Sequence, residues 1–349
     1  MANRFQKGPR LGDFFLSKRK TKTTFLDEID AIIDWRPIQA FLDKKLKRKA
    51  NAIGSPAYPS LAMFKVLLLQ RWYNLSDPAT EQALLDRISF IRFTGFSIED
   101  DAPDETTICR FRNGLIKLNI LDKLLDMINE QLEARKLLVR EGSVVDASVV
   151  ESSRRPRKVI DVMPQDREED RASDDPGSGD EPSAKASYSD DEDAAWLRKG
   201  SRSYYGYKIH IVTDARDGFV LNGHATPANR SDTGEFTRLV RDSRPRKGAT
   251  IFADKGYCSG ANRDLLRSCG LEDGTMDKTP RGGRLTDFEK QRNRAISSVR
   301  QIVERAFGTL KRGYGLARAR YLGLQKMEAE FRLAAMAFNI RKAVLLERA

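Results

Sequence analysis

The sequence predicts a mixed α/β fold, a sheet flanked by helices, preceded by an all-helical N-terminal domain. Three observations carry that expectation. Residues 1–140 place apolar groups at helical spacing and have very little strand character. At EGSVVDASVVES the period changes to an extended, β-branched run. Beyond it, strand and helix patterns alternate, which describes a sheet covered by helices.

The helical part is read from caps and spacing. SPAYPSLAMFKVLLLQRWYNLS opens with a proline-punctuated turn and then sets Leu61, Phe64, Leu67 and Leu68 one turn apart. SDPATEQALLDRIS has a Ser/Asp cap and Pro78 in its first turn, with Ala83, Leu84 and Ile88 apolar. APDETTICRFRNGLIKL starts at a capping Asp104 and lines up Ile108, Phe111 and Leu115; LDKLLDMINEQLEARKLL is a further amphipathic helix.

The second part begins with SVVDASVV, suited to a buried central strand apart from Asp146. Residues 161–193 hold 13 acidic and 3 basic residues with almost no large apolar groups. Such a composition cannot bury enough surface to fold, so residues 152–198 are expected to form a disordered acidic loop. SYYGYKIHIVTDARDGFVLNGHATPA reads as two strands joined at Asp217-Gly218. A helix over 233–241, a strand ending at Asp254, a helix through ANRDLLRSC and a short strand follow. A long helix from FEKQRNR should stop at Gly313, and a last one covers 325–346. The expected domains are thus 1–140 and 141–349.

The chain has 62 lysines and arginines against 50 acids, a formal charge of +12, which favours a polyanionic partner. Much of the excess lies after residue 280, where 16 basic residues face 6 acidic ones. Cys109, Cys258 and Cys269 are scattered without metal spacing, so a reducing, cytoplasmic setting is expected and a disulfide frame is not. LAMFKVLLLQRW is interrupted by Lys65 and is too short to span a bilayer; no membrane partner is expected.

Three carboxylates stand out. Asp146 interrupts a buried strand and needs a partner there, because burying even a neutral polar group alone costs about 2–7 kcal/mol. Asp254 ends an apolar strand, where a turn, a cap or a metal site would each explain it. Glu304 shares a helix face with Arg300 and Lys311, since steps of four and seven residues return to within roughly 40°. That face reads either as a solvated salt-bridge ladder or as a site. Three converging carboxylates would need a cation among them, and oxygen-only ligands favour Mg²⁺ or Mn²⁺. With only His210 and His224 in the chain, a histidine-based hydrolase is not expected.

VDAS at 145–148, YGYKIHIVTD at 205–214, TPANRSD at 226–232, ADKGY at 253–257 and RQIVERAFGTLKRGYGLARARYLG at 300–323 resemble the DDE transposases of bacterial insertion sequences, specifically the family named for insertion sequence five. LLLQRWYNLSDPATEQALLDRISFIRFTGF and DETTICRFR resemble that family's helical N-terminal region. The resemblance runs from about residue 50 to 345. It implies a ribonuclease H-like core in which Asp146, Asp254 and Glu304 are catalytic and hold two Mg²⁺ ions, with Mn²⁺ able to substitute. The family's Tyr-x2-Arg-x3-Glu-x6-Lys signature falls on Arg300, Glu304 and Lys311, with Ser297 at the tyrosine position.

The implied activity is cleavage at the element's terminal inverted repeats, with water as nucleophile, then transfer of the freed 3′-hydroxyl ends into target DNA. The expected partners are double-stranded DNA and further copies of the chain, as a homodimer or larger assembly. Arg300, Lys311, Arg312, Lys255, Arg318 and Arg320 are expected DNA contacts near the site, and Arg110 and Arg112 in the helical region. A ribonuclease H-like nuclease without strand transfer, or an inactive DNA-binding regulator from a decayed element, are the competing readings.

Overall fold

The structure, a computed structural model, describes residues 23–47, 57–154, 159–162, 184–187, 191–280 and 282–348. Among these, seven helices come first: α1 (Phe25–Ile32), α2 (Trp35–Lys45), α3 (Ser60–Trp72), α4 (Asp77–Asp86), α5 (Ile88–Thr94), α6 (Glu105–Lys117) and α7 (Leu121–Ala134). Ser76 caps α4 and Asp104 caps α6, each accepting from a backbone N–H three residues on. The segment read as one helix through Ile88 is two. Arg87 is extended (ψ 104°), with its guanidinium over the rings of Tyr73 and Phe90, and α5 ends at left-handed Gly95.

Helix α3 is the axis of this region, since every residue from Ala62 to Trp72 is buried. Its polar members are therefore all partnered. Lys65 Nζ lies 2.9 Å from both Asp30 Oδ1 and the Phe93 carbonyl, above the rings of Trp35 and Phe93. Gln70 donates to Asp77 at 2.7 Å, and Arg71 Nη1 to Glu330 Oε1 at 2.9 Å.

The sheet contains β1 (Gly142–Glu151), β4 (Ala195–Lys199), β5 (Arg202–Asp214), β6 (Val220–Pro227), β7 (Thr250–Ala253) and β8 (Glu272–Thr275); β2 (Val159–Val162) and β3 (Ala184–Ser187) form a separate antiparallel ribbon. β1 is central, antiparallel to β5 and parallel to β7. β6 pairs antiparallel with β5, and β8 parallel with β7. The order β6-β5-β1-β7-β8, three antiparallel strands followed by two parallel ones, is the ribonuclease H-like arrangement. Helices α8 (Asp232–Ser243), α9 (Gly260–Ser268), α10 (Asp287–Gly313) and α11 (Leu324–Glu347) complete the chain.

Two expectations change. The stretch 152–198 is in part ordered: β4 pairs with the first residues of β5. Asp191 is buried and accepts from the hydroxyls of Ser152 and Tyr207, while its carbonyl accepts from Tyr205 Oη at 2.8 Å. A buried carboxylate with several donors is an anchor, which an average over an acidic stretch hides. The rest of the expected loop, 155–158, 163–183 and 188–190, lies outside the described residues. The β5–β6 turn also spans residues 215–219 and is organised by Asp214, which accepts from the N–H groups of Asp217, Gly218 and Phe219. Gly218 is required there, with φ +78° and Ile302 Cγ2 2.7 Å from where a Cβ would stand.

α11 joins the two parts. It packs on α1, α3 and α7 on one side and on β6 on the other, and one buried cluster runs from Leu26 to Val344. Trp72 Nε1 donates to the Ala337 carbonyl at 2.8 Å. Asn339 takes the Val220 N–H at 2.9 Å and returns a bond to its carbonyl at 2.8 Å, with Asn129 of α7 beside it. No helix among the described residues is long and apolar enough to cross a membrane.

Candidate active site

The register brings two of the three acids together. Val145 of β1 lies opposite Ala253 of parallel β7, so the next residues, Asp146 within β1 and Asp254 just past β7, stand side by side. Helix α10 supplies the third. Thr286 and Glu289 form its capping box, and it lays Val303, Ala306, Phe307 and Leu310 into the core against β1 and β7. Glu304 stands at the exposed border of that contact and Arg300, one turn earlier, is half-buried.

Asp146 is desolvated, and burial first of all pushes its carboxyl up to about 6; the charges of Asp254 and Glu304 push the same way. Arg300 opposes them. Its Nη2 lies 3.3 Å from Asp146 Oδ2, while Asp146 Oδ1 accepts the Ala147 N–H at 2.8 Å. Asp254 uses Oδ1 to accept the Gly256 N–H at 2.6 Å, capping the short 3₁₀ turn Lys255–Tyr257. Gly256 matters here, because a Cβ on it would stand 2.7 Å from that same oxygen. Among the described residues, no three His, Cys, Asp or Glu side chains are drawn close enough to ligate one ion. The guanidinium of Arg300 is the positive charge that Asp146 meets. The donor set itself, three carboxylates and no thiol or imidazole, suits a hard divalent cation.

Residues 139–340 match the family model for the transposase DDE domain, and residues 14–114 that for a transposase domain (DUF772). The chain belongs to the transposase DDE domain family. It is 38% identical over 237 residues to the transposase for insertion sequence element IS1106 of Neisseria meningitidis serogroup B, covering 67% of this chain and 76% of that protein. Among solved structures it is similar to a piggyBac transposase synaptic complex with hairpin DNA, at 10% identity and a TM-score of 0.42, covering 92% of this chain and 73% of that one. It is also similar to a Mos1 mariner paired end complex with Mn, at 12% identity and a TM-score of 0.21, covering 90% and 86%. The chain is a bacterial insertion-sequence DDE transposase, an enzyme of DNA cleavage and strand transfer.

The cations expected on DNA fall into two groups in this transposase. Lys255, Arg312 and Arg110 are exposed, and Lys311 is half-buried beyond the carboxyl half of β1, where burial and the neighbouring Lys199 pull its amine below the usual lysine range. Arg318 is exposed but already donates to the Ser153 carbonyl at 2.7 Å. Arg112 and Arg320 are not open to DNA. Arg112 is 3% exposed, donates to Asp77 at 2.8 and 2.6 Å, and stacks on Tyr321. Arg320 holds the Leu75 carbonyl at 2.7 Å and the Asn74 side chain, beside Glu330. Both tie the helical region to the segment after α10.

Tyr257 escaped the sequence reading. It is 1% exposed, its hydroxyl has no hydrogen-bond partner, and burial together with Asp232, Asp146 and Asp254 raises it. The sequence signal was its place in ADKGY, three residues after Asp254. His210 and His224 are buried on β5 and β6, stacked with centroids 5.2 Å apart, and bonded to Thr226 and Glu235.

Proposed function

We propose that Asp146, Asp254 and Glu304 are the catalytic carboxylates of this transposase and that they hold two Mg²⁺ ions at the ends of the element. The observation that carries the reading is Asp146 beside Asp254 on adjacent parallel strands, with Glu304 of α10 near enough to raise the Asp146 carboxyl and Arg300 between them. Bound divalent cations would stabilise the attacking and leaving oxygens of an in-line displacement at phosphorus. The chain's own residues prepare the place. Arg300 keeps the Asp146 carboxylate oriented, and the Gly256 N–H fixes one oxygen of Asp254.

Two displacements follow. Water attacks the phosphodiester at the element's end, breaking the P–O3′ bond to leave a 3′-hydroxyl and a 5′-phosphate. That hydroxyl then attacks a target phosphodiester, forming one P–O3′ bond as the target's own P–O3′ bond breaks. Arg300 and Lys311 lie beside the path of the scissile strand, and exposed Lys255 and Arg312 add positive charge around it. Terminal inverted repeats and target DNA are the substrates, bound by a dimer or larger assembly, and the motif order favours kinship with insertion sequence five.

The test is a metal-dependent assay on labelled terminal-repeat duplexes with a supercoiled target. Wild-type protein is expected to give nicked and joined products, and Asp254→Asn and Glu304→Gln neither. Joined products from either variant would refute the assignment, and nicks without joining would favour a plain nuclease.

A further inference from the structure

The sheet carries a second basic surface, six residues along β5 from the carboxylates. Trp196 of β4 is 48% exposed, although its ring leans on Tyr205 with centroids 5.3 Å apart. On β4 stand Arg198 and Lys199, and Arg202 opens β5, all exposed and without a carboxylate partner among the described residues. The register fixes which way the hairpin looks. Trp196 is opposite Tyr205, Val150 opposite Tyr207, and Asp146 opposite Ile211. Alternate residues share a face, so Trp196 and Arg198 stand on the sheet face that carries Asp146, while Lys199 and Arg202 flank the hairpin end from the other face. Lys199 reaches far enough along the same border to act on Lys311.

Cations alone would suit an edge strand that must avoid pairing with another sheet. A half-exposed indole does not serve that purpose. Three cations with no carboxylate partner among the described residues suit a polyanion, and a flat ring held by a neighbouring tyrosine offers a stacking surface with almost no hydrogen-bond code. Bases inside a duplex have both faces covered, so the base that such a ring can meet belongs to an unpaired strand.

We propose that the β4–β5 hairpin binds an unpaired DNA strand leading away from the cleavage site, with Arg198, Lys199 and Arg202 on its phosphates and Trp196 stacked on an exposed base. This rests on the reading of Asp146, Asp254 and Glu304 as the cleavage site. It extends that reading by assigning a single-stranded DNA subsite to a hairpin outside the carboxylate trio.

The experiment uses full-length protein without metal, and terminal-repeat DNA with either a fully paired or an unpaired flank, titrated with salt. For the unpaired flank, the triple variant Arg198→Ala, Lys199→Ala, Arg202→Ala is expected to flatten the plot of log affinity against log salt by about 2, at roughly 0.7 per lost phosphate contact. Trp196→Ala should weaken that DNA on the order of tenfold and leave the paired one unchanged, and Trp196→Phe should recover most of the loss. An unchanged slope, or equal weakening of both DNAs by Trp196→Ala, would overturn the proposal. The catalytic assignment fails separately, through metal-dependent cleavage persisting in Asp146→Asn.

Discussion

Replacing Asp146 with asparagine is expected to make the metal-free transposase more stable while abolishing cleavage. Burial and two neighbouring acids raise the carboxyl from 3.8 to about 6, even with Arg300 counted in. Its folded value therefore exceeds its unfolded one. Between those values the folded state holds a proton that the unfolded state has lost, so stability falls as pH rises through this window and stays reduced above about 6. At about 1.4 kcal/mol per unit, the carboxylate costs about 3 kcal/mol at pH 8. Asparagine keeps the shape and an oxygen for the Ala147 N–H without the charge. With an unfolding entropy of about 2.1 cal/mol/K per residue, roughly 0.7 kcal/mol/K for the chain, the gain corresponds to about 4 °C in Tm. Calorimetry at pH 8 and pH 5 without metal should show the full gain at the first pH and about half of it at the second, since only about 1.2 of the 2.2 units lie below pH 5. Added Mg²⁺ should raise the wild-type Tm and not the variant's, because only the wild type has the ligand. An asparagine variant no more stable than wild type at pH 8, or one that cleaves, would refute the reasoning.

Glu330→Ala should destabilise by about 3–5 kcal/mol in urea unfolding, because it strands a 2% exposed Arg71; joint replacement of Arg71 and Glu330 by methionine should recover most of that. The stacked histidines set a pH limit of opposite sign to Asp146. Burial holds His210 down to about 3 and also lowers His224, so the unfolded chain takes up protons first as pH falls below 6.5. In the Asp146→Asn background, stability should drop between pH 7 and 5 by up to about 1.4 kcal/mol per unit for each imidazole. A flat profile there would count against their buried, neutral state.

Much of this was legible in the sequence, and the failures have specific causes. Caps at Ser76 and Asp104 announce α4 and α6 because capping is local chemistry. The break at Arg87 was hidden, since its extended backbone is held by contacts with Tyr73 and Phe90 on either side of α4. β4 was missed because the expected loop was carried past the acidic stretch 161–193 to 198, although its residues, Trp-Leu-Arg-Lys, are basic and aromatic; it exists by pairing with β5. The carboxylates could be named, and the β1–β7 register then placed Asp146 beside Asp254. Arg112 shows what charge alone conceals. It falls four residues after Ile108 and three before Leu115, on the apolar face of α6, so its spacing already marked it as internal.

α11 also dictates when the protein can fold. The innermost helix of the N-terminal region, α3, gives Arg71 and Trp72 to Glu330 and Ala337, more than 250 residues downstream. While the ribosome is still making the sheet, the nascent helical region lacks one wall and exposes the apolar surface that α11 later covers. A prematurely terminated chain would therefore be a substrate for chaperones and proteases.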